Sequence, residues 1–181
     1  SKILYLEGYL WDPPNAKKAF LEAIKIAKAS DTKVALSLSD AFCVDRYRSE
    51  FLDLVSTHVD ILFGNETELL SLYQTKNLNE AIGLVQDDCE IVAVTRDSRG
   101  SIVIENRRVF EIAAQKIDTV IDTTGAGDLY ASGFLYGITR DMDVRQCGSL
   151  GGLVASSIIT QFGARPEESL MPLIDRVAVS N

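Results

Sequence analysis

Residues 122–128 read DTTGAGD, and the apolar stretch LYASGF follows directly. A helix that starts behind glycines leaves its first backbone N–H groups without partners, and its dipole is positive there, so it attracts negative charge. The amides of Gly125, Ala126 and Gly127 can be turned toward one anion. A transferring phosphoryl group needs mostly such positioning and charge stabilisation. At this spacing Asp128 has two readings. It is either a general base that takes the proton of an attacking hydroxyl beside the anion, or a first-turn carboxylate that stabilises its helix by about 0.3–1 kcal/mol.

Two further stretches carry polar groups to strand ends. In GNETE, Asn65 is a plausible helix cap and Glu68, three residues on, completes a capping box. The alternative is that Asn65 and Glu68 orient water and Mg²⁺ near nucleotide phosphates, since Mg²⁺ keeps several waters and takes few protein ligands. VTRDSRGS follows a strand with a polar loop that includes Thr95, Asp97 and Gly100. It is either a wall of a nucleotide pocket or a plain connection between strands.

Positioning these groups requires strands that end where helices begin. Short apolar runs alternate with amphipathic stretches, the order of a mostly parallel α/β sheet covered by helices. Strand-like KILYLEG precedes a helix within residues 12–30, where Ala16, Phe20, Ala23, Ile24 and Ala27 share a face. KVALSLSD is the next strand. A second helix follows with Val44, Tyr47, Phe51, Leu54 and Val55 at helical spacing, and VDILFGN returns to the sheet. Helices at NETELLSLY and LNEAIGLVQ, the strand EIVAVTR and a hairpin turning at ENRR complete the middle. Beyond Gly127, one helix has Tyr130, Gly133, Phe134, Gly137 and Ile138 on a face, and another has Leu150, Leu153, Val154, Ser157 and Ile158. Glycine inside a helix costs roughly 0.5–1 kcal/mol relative to Ala, so the glycines of the first imply close packing on a neighbour.

The bulk composition narrows the chemistry. With 181 residues, 46% of them hydrophobic, one domain with a substantial core is expected. A net charge of -8 argues against nucleic-acid and anionic-membrane surfaces, so any phosphate must be held locally. Cys43, Cys89 and Cys147 never form a C-x-x-C pair and read as buried reduced thiols. The single histidine, His58, lies at an expected helix end, which leaves little room for His-rich metal sites or triads. No P-loop, no complete dinucleotide fingerprint and no G-x-S-x-G elbow occurs. With no apolar run near the roughly 20 residues of a membrane span, a cytoplasmic protein is expected.

GNETE, VTRDSRGS and DTTGAGDLYASGF, which follow one another along the chain, resemble the motifs of the ribokinase-like (PfkB) kinases of sugars and nucleosides and occur in that family's order. The resemblance implies a three-layer α/β/α fold, ATP and Mg²⁺ as cofactors, and a small-molecule sugar or nucleoside as acceptor. It implies Asp128 as catalytic base and Gly125, Ala126 and Gly127 as the anion hole. Asn65 and Glu68 would serve Mg²⁺ and phosphates, Glu68 through water. Thr95, Asp97, Gly100 and Gly152 would lie along ATP, and Asp122 and Thr124 would hold a monovalent cation such as K⁺. Asp97 departs from the family by placing an acid where many members have glycine.

Counterparts of the family's N-terminal strands, its sugar-binding acid and its β lid are absent from these residues. The expectation is a C-terminal, nucleotide-binding portion with little transfer activity alone, and a homodimer as the assembly. VDILFGNETE and SLSDAF resemble adenosine kinases most. Fructokinase or ribokinase chemistry and a non-catalytic nucleotide-binding module are the alternatives.

Overall fold

A computed structural model describes residues 1–178 of the chain. Six strands pair in chain order: β1 (Ile3–Glu7), β2 (Lys33–Ser37), β3 (Ile61–Asn65), β4 (Ile91–Thr95), β5 (Ser101–Glu105) and β6 (Arg108–Ile112). The helices are α1 (Pro14–Ala29), α2 (Ala41–Thr57), α3 (Glu66–Leu72), α4 (Leu78–Asp88), α5 (Ala126–Thr139), α6 (Val144–Ile158) and α7 (Met171–Ala178). The βαβαβ order read from the apolar periodicity is therefore the order observed. Two compact units divide the chain, Ser1–Val94 with Ile104–Val109, and Thr95–Val103 with Phe110–Asn181.

In the first unit, β1 and β2 run parallel with Ile3 opposite Lys33, and β2 and β3 run parallel with Ala35 opposite Ile61. Val34, Ala35 and Leu36 are consecutive and all buried, as they must be in a strand covered on both faces. Pro14 starts α1, where its missing N–H is no loss, and Phe20, Ile24 and Ala27 turn to the core.

α2 is capped by the Asp40 carboxylate, which accepts from the Phe42 amide at 2.6 Å. It buries Val44, Phe51, Leu54 and Val55. Tyr47, expected on that apolar face, departs from it: its backbone is non-helical (φ -120°, ψ 25°) and its hydroxyl donates to Asp12 Oδ1 at 2.7 Å. A tyrosine with an acid in reach keeps its polar tip bonded rather than buried, and the helix kinks to allow it. Lys17 sits over the Tyr47 ring, 4.1 Å from its centroid, and bridges to Glu50 at 2.8 Å.

The hairpin turns at ENRR as expected. Asn106 (φ 48°) and Arg107 (φ 64°) are both left-handed, the backbone that a two-residue turn needs to match strand twist.

In the second unit α5 lies against α6 through glycines. A Cβ on Gly133 would stand 3.0 Å from Gly151 Cα, and one on Gly137 would stand 2.7 Å from Cys147 Sγ. The close packing expected of α5 is thus present, and Tyr130 and Phe134 are buried beside it. Asp143 and Gln146 close a capping box at the start of α6. The cysteines divide: Cys89 and Cys147 are buried, while Cys43 is only half-buried, its thiol donating to the Gly8 carbonyl at 3.4 Å. Position decides this, because Cys43 lies in the first turn of α2, near the helix end.

Candidate active site

Gly125 caps α5 in the left-handed region, with φ 79° and ψ 2°. A Cβ there would meet the Ala164 Cβ at 2.6 Å, so both conformation and space require glycine. The Ala126 amide, one of the three expected to face an anion, donates to the Thr123 carbonyl at 3.1 Å. No acceptor for the Gly127 or Asp128 amide lies among the described residues. These two N–H groups point from the positive end of a 14-residue helix. A Cβ on Gly127 would meet nothing within 4 Å, so the space beside that residue is open. Asp128 is exposed, and its carboxylate has no hydrogen-bond or ion-pair partner among the described residues.

Asp122 and Thr124 hold this loop in shape. Asp122 Oδ1 accepts from the Thr124 amide at 2.9 Å and from its hydroxyl at 2.7 Å, and Oδ2 accepts from the Gly163 amide at 2.9 Å. Hydrogen bonds from Thr124 first, and from Gly163, hold the Asp122 carboxyl below the usual carboxylate range. The Ile121 amide adds a bond to the Ile159 carbonyl at 2.8 Å. Gly163 and Ala164, the first two residues of the stretch GAR, are therefore part of the framework of the candidate site, and these contacts were not expected from the sequence.

The loop after Thr95 is tightly closed. Arg96 N–H donates to the Gly100 carbonyl at 2.8 Å, and Gly100 N–H donates to the Asp97 carbonyl at 3.1 Å. Gly100 has φ 82°, and a Cβ on it would fall 2.0 Å from the Ile112 carbonyl oxygen. Asp97 is left-handed as well (φ 52°) and exposed, so its acid faces water at the turn. On α6, a Cβ on Gly152 would meet no atom within 4 Å, so packing does not explain that glycine.

In the first unit, Asn65 and Glu68 form the full capping box. Asn65 Oδ1 accepts from the Glu68 amide at 2.8 Å, while Glu68 accepts from the Asn65 amide at 2.9 Å and from its side-chain nitrogen at 2.7 Å. Glu68 is only 6% exposed. Burial pushes its carboxyl above the ordinary glutamate value, partly offset by the Asn65 amide and reinforced by the negative Asp40. The capping role expected from the spacing is therefore real, and each carboxylate oxygen keeps a lone pair for a further donor or a metal-bound water.

Two amides and an acid that have no partner among the described residues, at the positive end of a helix in an α/β protein, are groups to which an anion and a hydroxyl proton could be brought. Residues 1–170 match the model of the pfkB family carbohydrate kinases, and the chain belongs to that family.

A crystal structure of a probable sugar kinase protein from Rhizobium etli is 48% identical, with a TM-score of 0.95 over 98% of this chain and 54% of that one. The adenosine kinase from Sinorhizobium meliloti is 47% identical, with a TM-score of 0.95 over 97% of this chain and 54% of that one. The nucleoside kinase of Methanocaldococcus jannaschii is 29% identical over 85% of this chain and 49% of its own length. The chain thus spans about half the length of these relatives.

Proposed function

We propose that this chain provides the nucleotide side of an ATP-dependent kinase that phosphorylates a hydroxyl of a nucleoside or sugar, with adenosine the first acceptor to test. The observation that carries this reading is the pairing at the start of α5 of two amides and an exposed Asp128 that have no partner among the described residues. In the proposed step Asp128 accepts the proton of the acceptor hydroxyl, whose oxygen forms a bond to the γ-phosphorus of ATP as the bond to the β-bridging oxygen breaks and ADP leaves. The Gly127 and Asp128 amides stabilise the charge on the transferring group. Mg²⁺ bound with ATP would neutralise phosphate oxygens, and the spare lone pairs of the buried Glu68 fit a metal-bound water. Thr95, Asp97, Gly100 and Gly152 line the nucleotide, and Asp122 and Thr124 are proposed to bind K⁺ through lone pairs left by their own hydrogen bonds. Among the described residues no helix is long and apolar enough to cross a membrane, which supports a cytoplasmic setting.

The full-length protein, given Mg-ATP and a panel of nucleosides and sugars in competition, tests this. Adenosine is expected to be phosphorylated with the highest kcat/KM, and Asp128→Asn should lower kcat by about 10²–10⁴ without lowering Tm. Retention of more than a tenth of wild-type kcat in that variant would show that Asp128 is not the base. ATP and Mg²⁺ raising Tm with no acceptor phosphorylated would leave a nucleotide-binding module instead.

A further inference from the structure

Tyr130 and Ser101 meet hydroxyl to hydroxyl inside the second unit. The Tyr130 hydroxyl donates to Ser101 Oγ at 2.8 Å, and the two residues are 3% and 2% exposed. Burial pushes the Tyr130 phenol up to about 12, so it stays protonated and remains a donor at any working pH.

Each partner is tied to a different part of the proposed nucleotide site. Ser101 directly follows Gly100, the residue that closes the 96–100 loop onto Arg96 and that cannot carry a Cβ against Ile112. That loop is closed by its own hydrogen bonds and hangs between the end of β4 and the start of β5, so its place depends on the anchors at those two ends, and Ser101 is the one at its exit. Tyr130 lies three residues after Gly127, on the same face of α5, and two residues after Asp128, about 200° around the helix from it. Its own freedom is small: Phe134 stacks with its ring at 6.3 Å between centroids, and a Cβ on Gly151 would stand 2.8 Å from its carbonyl.

The geometry points to Tyr130 and Ser101 as a positioning pair that fixes the 96–100 loop relative to the amides at the start of α5. The assignment rests on the nucleotide-binding reading above, but the pair's effect on the loop does not. With the bond in place, the two halves of a phosphate and nucleotide cradle are held at one separation before ATP arrives, and binding loses less freedom as a result. Without it, the loop must be placed by the ligand.

Tyr130→Phe, Ser101→Ala, the double variant and the conservative Ser101→Thr, made in the full-length protein, separate positioning from packing. Each single variant leaves one buried hydroxyl without its partner, whereas the double variant removes both, so Tm should fall in the singles and recover in the double. KM for ATP should rise about three- to tenfold in the singles and stay raised in the double, with kcat and the acceptor KM little changed. Ser101→Thr, which keeps the hydroxyl, should restore KM. Amide hydrogen exchange at residues 97–100 should quicken about tenfold in both Tyr130→Phe and the double variant.

KM and loop exchange that track Tm, recovering in the double variant, would reduce the pair to a packing contact and overturn the proposal. If the wild type neither binds ATP nor turns over, the kinase reading fails. The exchange data then still decide whether the pair positions the loop.

Discussion

The backbone amide of Gly163 donates to Asp122 Oδ2 at 2.9 Å, joining points of the chain 41 residues apart. The other oxygen of the same carboxylate accepts from Thr124, so one side chain braces the glycine loop from both sides. Asp122 is therefore a latch for the glycine loop through its own hydrogen bonds.

The latch has a pH signature. Its folded carboxyl titrates below the ordinary value, so the folded protein binds that proton more weakly than the unfolded chain does. Its contribution is complete above the ordinary aspartate pKa and is lost as pH falls through the lower, folded value. Asp122→Asn should melt below wild type at neutral pH, and the two should converge as pH falls from the ordinary aspartate value through the lower, folded one. A difference in Tm that stays constant with pH would count against the latch.

Glu68 titrates in the opposite sense. Its folded carboxyl is raised, so it favours folding below the unfolded glutamate value and loses that benefit as pH rises through the folded value. Glu68→Gln removes the charge and keeps the shape. Its Tm relative to wild type should climb as pH is taken from about 4 to about 7, in a series of thermal melts at fixed ionic strength.

Asn65→Ala removes the helix cap and strips Glu68 of the side-chain donor on one of its oxygens. The Asn65 amide survives the change, but the side-chain bond and the cap at α3 are lost, so about 1–2 kcal/mol of stability should go, read by denaturant unfolding. Activity measured well below the midpoint should then report any separate role toward phosphate.

Four glycines make a graded test. Gly83 and Gly152 are helical with open space at the Cβ, so each Ala variant should stabilise by about 0.5–1 kcal/mol. Only Gly152→Ala should also raise KM for ATP. Gly127→Ala should fold normally and lose turnover, because the methyl would fill space the anion is proposed to take. Gly125→Ala, left-handed and 2.6 Å from Ala164 Cβ, should cost more than about 1 kcal/mol.

Local rules made much of this readable. Periodicity located α1, α4, α5 and α6, the Asn65–Glu68 spacing announced its capping box, and ENRR marked its turn, because each depends on residues close in sequence. Long-range partners were hidden. Tyr47 had helical spacing but left its face for Asp12, 35 residues away. The Gly163 amide on Asp122 and the Ser101 hydroxyl beneath Tyr130 have no periodic signature, since only tertiary folding brings them together. The anion loop was legible as a glycine motif, but not which of its amides are spent: Ala126 bonds within the loop, while Gly127 and Asp128 do not.

Where α5 meets α6, backbone lies against backbone, with Gly133 facing Gly151 and no side chain between them. At that crossing no side-chain layer separates the helices, and one turn on, Gly137 closes against Cys147 Sγ, so α5 and α6 are tightly joined. The amides of Gly127 and Asp128 and the open flank of Gly152, all groups of the proposed nucleotide site, are thus carried on one joined pair of helices.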